Sequence, residues 1–174
     1  MTVRKILTEP NPFLRQKSKL VDKVDDSIRE LMDDKVEKMY NAPGIGLAAI
    51  QIGEPKRVIV LDASKNPKKK KPMYFANPEI VSTSKDDATY EEGCLSVPGQ
   101  FAEIDRPDKC HIKYLDYNGK TKELKAEGLL ATCIQHEIDH LEGILFIDYL
   151  SKLKKTMIIK KLSKQKKQID RIVV

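Results

Sequence analysis

Apolar residues along the chain follow two spacings, one helical and one strand-like, that alternate from segment to segment. Between Asp25 and Asn41 the positions Ile28, Leu31, Val36 and Met39 fall on one helical face. A helix is expected from Asp25 or Ser27, with Ser27 as its cap and Glu30 at the capping-box spacing. It should stop near Asn41-Ala42-Pro43-Gly44. Arg57-Val58-Ile59-Val60-Leu61-Asp62 is a nearly continuous apolar run of strand length and reads as a buried strand. Met73–Phe75 and Glu79–Ser82 read as two strands parted by Asn77-Pro78. Cys110–Asp116 alternates like a strand, turns at Tyr117-Asn118-Gly119-Lys120, and returns over Thr121–Ala126. His111 lies inside that alternation and reads as structural. The helical spacing resumes with Leu129, Leu130, Ile134, Ile138 and Leu141, stopping at Gly143. A last helix is expected over 151–172, with Leu153, Met157, Ile158, Leu162 and Ile169 on one face. The opening segment through Thr8-Glu9-Pro10-Asn11-Pro12 is extended or turn, because proline disfavours helix in the residue before it.

Composition narrows the classes this chain can belong to. With 174 residues, 40% hydrophobic and 33% charged, it suits one soluble domain, 1–174, large enough to bury a core. No apolar run approaches the roughly 20 residues that span a bilayer, and the N-terminus has no signal-like core. Three cysteines, Cys94, Cys110 and Cys133, cannot all pair, which points to free thiols in a reducing cytoplasm. The net charge of +6 is unevenly spread: 151–174 alone carries +8, so the remainder is at −2. The basicity belongs to the tail, where a solvated helix face and an RNA-binding face are the competing readings.

Three stretches carry candidate chemistry. In Gln135-His136-Glu137-Ile138-Asp139-His140, two histidines four apart on a helix share a face and can grip one metal ion. Glu137 then lies beside the metal's open position as a proton acceptor and donor. Such a site wants a third protein ligand. Cys94, in Glu92-Gly93-Cys94-Leu95-Ser96 and bounded by turn residues, reads either as a buried small hydrophobe or as that ligand. Gly44-Ile45-Gly46-Leu47-Ala48-Ala49-Ile50-Gln51 lacks the glycine spacing of a dinucleotide site; its small residues suggest close backbone approach, and Gln51 is its polar exception. A zinc peptidase also uses His-Glu-x-x-His but takes its third ligand downstream, where Glu142 follows too closely and no histidine exists.

Together, in this order and at this spacing, the three stretches resemble the signature motifs of peptide deformylases. The resemblance implies an α+β domain, with antiparallel strands surrounding the His-Glu-x-x-His helix and a C-terminal helix packed outside. It implies that Cys94, His136 and His140 hold one metal ion with water in the fourth place. Ferrous iron would be the working metal in the cell, with zinc, nickel or cobalt compatible on isolation. Glu137 would act as general base and then acid, with Gln51 and the Leu95 N–H stabilising the developing oxyanion. The substrate would be the N-formyl group on the initiator methionine of new polypeptides. Its backbone would pair near Ile45, Gly46 and Gly93, its methionine lying against Ile45, Leu129 and Cys133. Asp139 would orient a neighbouring group. The chain would be a monomeric cytoplasmic enzyme, organellar only if a transit peptide had been removed. Its basic tail would be a candidate ribosome contact. The competing functional readings are a basic ribosome- or RNA-associated module and a deformylase-like protein without activity.

Overall fold

Asp25, rather than Ser27, starts the first helix. In the computed structural model, which describes residues 5–173 and the side chains of residues 5–166, its carboxylate accepts from Ile28 N at 3.0 Å. Ser27 Oγ donates to that carboxylate instead of capping. Aspartate wins because its backbone is extended while its oxygen reaches the amide three residues on. The resulting α1 (Asp26–Asn41) is followed by the short strand β1 (Gly46–Ala48), a 3-10 turn over Ala49–Ile52 and β2 (Val58–Leu61). Then come β3 (Met73–Thr83), β4 (Asp87–Cys94), β5 (Val97–Pro107), β6 (Lys109–Leu115) and β7 (Thr121–Glu127). The chain ends with α2 (Gly128–Leu141), a 3-10 turn over Phe146–Tyr149, and α3 (Lys152–Val173).

Five strands form an antiparallel sheet in the order β1-β2-β3-β6-β7, and β4 and β5 form a separate hairpin. All four residues of β2 are buried, because Ile59 and Leu61 face α2 while Val58 and Val60 face α1. That two-sided burial is why β2 is apolar without alternation. One core, built on Ile50, Phe75, Ile112, Ile134 and Leu141, joins the sheet to α2. A second, with Leu31, Met32, Met39 and Leu47, joins it to α1. A third, from Val97, Ile104, Phe146 and Leu162, seats β5 and α3. This is the α+β arrangement expected, with the His-Glu-x-x-His helix among antiparallel strands and the C-terminal helix outside it.

Two expectations need correction, and one stretch gains a structure that the sequence left unassigned. The segments 73–75 and 79–82 are one strand: Asn77 takes a positive φ of 49°, and β3 passes through Asn77-Pro78 with a register shift against β6. Asn77 also ties the bend down, accepting from Val21 N and donating to Val21 O. The stretch around Cys94, which the sequence marked only by its bounding turn residues, forms the tip of the β4–β5 hairpin, whose polar, glycine-containing sequence hides its alternation. On α3, Leu162 is buried with Ile158 packed beside it, but Leu153 and Met157 are 71% and 62% exposed, because they lie on a different face of the helix. The Ile169 side chain lies outside the described residues.

One core residue breaks the hydrophobic rule. Lys35 of α1 is fully buried, and its Nζ donates to Val58 O at 2.5 Å and Leu47 O at 3.2 Å. Burial drives its pKa down to about 7. Since the unfolded lysine holds its proton to higher pH, the cost of burial is full below about pH 7 and fades as pH rises toward the unfolded value. Lys35→Met is therefore expected to stabilise the protein by about 1–4 kcal/mol at neutral pH. The gain should shrink toward pH 10. Thermal melts of both proteins across that range check it, and a pH-independent difference would contradict it.

Candidate metal centre and active site

Helix α2 presents His136, Glu137 and His140 to the interior, all buried, and His136 and Glu137 line a cavity of about 480 Å³. The two imidazole centroids are 5.0 Å apart, as one helical turn dictates. Cys94 arrives from the other side. At Gly93 the β4–β5 ladder slips, and pairing resumes at Cys94 with Val97. The bulge re-aims the chain so that Cys94 Sγ lies 3.4 Å from His140 Nε2. One donor atom from each of Cys94, His136 and His140 lies within 4.8 Å of the others.

These residues fit a soft-to-borderline divalent cation, as one thiolate and two imidazoles should. The electrostatics agree. Burial alone would lower His136, but its bonds to Cys94 and Glu92 outweigh that and push it up to about 10, so the pocket favours positive charge there. His140 is driven well below the ordinary histidine value by burial and by the charge on His136, which keeps its imidazole neutral and able to ligate. Among the described residues His140 Nδ1 and Glu137 Oε2 are buried without a partner, an expensive state outside a working site.

Glu137 is pushed up to about 7 by burial, opposed by the positive charges of His136 and Lys35. A carboxyl poised there can accept and return a proton near neutral pH. Its placement depends on Gly46: a Cβ on that residue would stand 2.6 Å from Glu137 Oε1. Gly93 is constrained in the same way, its missing Cβ leaving room for the Phe101 ring at 2.6 Å. The close backbone approach expected of the glycine-rich stretch is thus real and serves the site.

Gln51, 1% exposed, has its amide fixed at both ends. Its Oε1 accepts from Ala48 N at 2.9 Å, and its Nε2 donates to Ser96 Oγ at 2.9 Å and to Cys94 Sγ at 3.6 Å. Ile45, Gly46, Gly93, Leu95, Leu129 and Cys133 line the cavity with His136 and Glu137. Burial pushes the Cys133 thiol up to about 12, so it is a neutral wall and not a nucleophile. Every residue singled out from the sequence is therefore either at the cavity or directly behind it. His111 is not there: it stands on β6, 3.6 Å from Glu123 of the neighbouring strand.

Glu92 and Arg106, which stand behind the ligands, had no role legible in the sequence. His136 Nδ1 is 2.9 Å from Glu92 Oε1. Glu92 in turn accepts from Arg106 Nε at 2.7 Å and Nη2 at 3.0 Å, a two-pronged bond in a buried setting. Burial would raise Glu92, but the bonds from His136 and Arg106 hold it below the usual carboxylate range. Arg106 Nη1 also donates to Asp139 Oδ2 at 2.8 Å, and Tyr149 donates to the same oxygen at 2.7 Å. Asp139 thus orients Arg106 and Tyr149, in line with its expected positioning role. Glu92 could have been suspected from its place beside Gly93-Cys94; nothing local marks Arg106.

A helix-borne His-Glu-x-x-His pair completed by a cysteine, inside an antiparallel α+β frame, defines a metal-dependent hydrolase. Residues 3–156 match the family described as polypeptide deformylase. The chain is 66% identical over 174 residues to the peptide deformylase of Pelagibacter ubique, covering all of both chains. It is 58% identical to that of Phenylobacterium zucineum, over 96% of this chain and 99% of the other. The crystal structure of peptide deformylase from Ehrlichia chaffeensis superposes with a TM-score of 0.90 at 43% identity, covering 96% of this chain and 98% of that one. The chain belongs to the polypeptide deformylase family. It is an enzyme that hydrolyses the N-formyl group from newly made polypeptides.

Proposed function

We propose that Cys94, His136 and His140 hold one divalent metal ion and that Glu137 moves the protons of deformylation. The observation that carries this is the convergence of the three donor atoms, within 4.8 Å, beside a buried carboxylate oxygen that has no partner among the described residues. A bound ion supplies Lewis acidity, polarising the formyl carbonyl and making water a better nucleophile. Glu137 accepts a proton from the attacking water and returns it to the amine that leaves. The Gln51 amide and the Leu95 N–H receive the negative charge that develops on the formyl oxygen. Ser96 and Ala48 hold the Gln51 amide in one orientation, so little reorganisation is needed as that charge grows.

The substrate is a polypeptide beginning with N-formylmethionine. Its backbone lies along the free edge of β1 at Ile45 and Gly46 and against Gly93, as an added strand. The methionine side chain rests on Ile45, Leu129 and the neutral Cys133. Ferrous iron is the metal in the cell, the thiolate being the ligand that favours a transition ion, with zinc, nickel or cobalt able to replace it. The chain works in the cytoplasm as a monomer and as one domain, 1–174. Among the described residues no helix is long and apolar enough to cross a membrane. Exposed Leu153 and Met157, set among Lys152, Lys154, Lys155, Lys160 and Lys161, make α3 a contact for the ribosome. Serine at Lys154, Lys160 and Lys161 should weaken salt-sensitive cosedimentation with ribosomes, and unchanged cosedimentation would remove that contact.

Anaerobic turnover of formyl-Met-Ala-Ser, followed by formate release, tests the central reading. The iron-loaded protein should release formate, and metal removal should stop it reversibly. No formate from folded, iron-loaded protein would overturn the assignment. Gln51→Ala is expected to lower kcat on the order of 10²–10³-fold, the usual cost of losing one such donor, with little change in melting temperature. Near-normal turnover in that variant would remove Gln51 from the chemistry.

A further inference from the structure

Between β2 and β3 the chain carries Lys65, Lys68, Lys69, Lys70 and Lys71, all exposed. Among the described residues none of the five has a carboxylate partner; Lys70 rests on the Tyr40 ring, its Nζ 4.4 Å from the centroid. Among the described residues these five cations, none paired with a carboxylate, fall within seven positions of a chain whose residues 1–150 carry −2 with them and −7 without them, and so form a concentrated local positive field.

The segment is built, not merely long. Asp62 closes its neck, accepting from Ser64 N at 2.9 Å, Lys71 N at 2.9 Å and Tyr40 OH at 2.6 Å. Asn66 organises the tip, its side chain accepting from Lys68 N and its carbonyl from Lys69 N. The neck is joined to the cavity rim: Asp62 N donates to Ile45 O at 2.8 Å. Ile45 is 46% exposed and lines the cavity mouth, as do Pro43 and Gly44, which follow Tyr40 closely in the chain. The neck of the loop is therefore bonded to the cavity rim on the side bounded by β1, and the lysines project from that neck outside the cavity itself.

We propose that this lysine loop is an outer part of the substrate groove and selects polypeptides with aspartate or glutamate shortly after the formylated methionine. The inference rests on the groove reading above, in which the peptide leaves the cavity past Ile45. An extended chain advances about 3.3–3.6 Å per residue, so the residues about three to six after methionine run past the loop. Preordering of the neck by Asp62 and of the tip by Asn66 limits the entropy lost when such a chain binds. RNA phosphate would also meet the charge, but residues 63–71 contain no aromatic side chain on which a base could stack, and Lys70 already covers Tyr40. An acidic peptide is the better fit.

The test compares formyl-Met-Ala-Ser peptides extended by three aspartates, three serines or three lysines, using the iron-loaded full-length enzyme. At low salt the aspartate peptide should exceed the serine peptide in kcat/KM by about 3–10-fold, the sum of a few exposed charge pairs, with the gain in KM. At about 0.5 M salt the advantage should collapse. Serine at Lys65, Lys68, Lys69 and Lys71 together should abolish the preference and leave the serine peptide unchanged. Lys68→Glu with Lys69→Glu should turn it toward the lysine peptide. Equal rates for aspartate and serine peptides with wild type, or a preference that survives both variants, overturns the proposal. So does a variant that loses RNA binding while keeping the peptide preference. Failure of the serine peptide itself with wild type would instead mean that the groove reading, and the loop's role with it, is wrong.

Discussion

Glu137→Gln is expected to lower kcat on the order of 10²–10⁴-fold while metal binding stays intact. The substitution keeps the shape of the side chain, so it still fits against Gly46, where no Cβ leaves room for anything larger. On the proposed mechanism it removes the ability to take a proton from water and deliver it to the departing amine. The atoms proposed to hold the metal belong to Cys94, His136 and His140, so metal content should remain as in the wild type. A second signature separates loss of chemistry from loss of structure. In the wild-type protein burial raises Glu137 to about 7, above the value of the unfolded carboxyl. The folded state therefore binds more protons than the unfolded one between those two values, and wild-type stability declines as pH rises through that window. Glutamine carries no such cost. The metal-free variant should melt higher than metal-free wild type above pH 7 and match it more closely at pH 4. Near-normal formate release from the metal-loaded variant would remove Glu137 from the proton path.

Arg106→Met tests the support behind the proposed metal ligands. The guanidinium lies between the carboxylates of Glu92 and Asp139 and is 3% exposed. Removing it leaves the Glu92 charge buried with only His136 as partner, a change that costs about 3–5 kcal/mol when one side of a buried pair is deleted. Because Glu92 sets the orientation and basicity of the His136 ring, metal affinity should also fall about 10–100-fold. Thermal melts and competition with a chelator measure the two effects separately. A lower melting temperature with unchanged affinity would make Arg106 a structural residue alone. The lowered pKa of Glu92 makes its contribution one that is present above the ordinary carboxyl value and lost as pH falls, so acid should destabilise the wild type more steeply than the variant.

Much of the working chemistry was legible because it is local. Two histidines four residues apart share a helix face whatever surrounds them, and Glu137 is fixed relative to them by the same geometry. The apolar run of β2 announced burial on both sides, and the alternation over 110–126 announced β6 and β7. Gly143, at a positive φ of 76°, ended α2 where its place in the sequence predicted. Cys94 was different: from its own neighbours it was as good a core residue as a ligand, and only similarity to a family resolved the choice.

What the sequence determined by itself was therefore the set of side chains that a helix or strand period places side by side. The tertiary structure decided the remainder. It brought Cys94 to His140 across 46 positions, and Arg106 to Asp139 across 33. It buried Lys35 beneath β1 and β2, and it ran β4 and β5 through residues whose charges and glycine conceal a strand. Those outcomes depend on strand register, on the slip at Gly93, and on which faces of α1 and α2 meet the sheet. Local propensity reaches only a few residues along the chain, whereas pairing across a sheet and packing against it are settled by the free energy of the whole assembly.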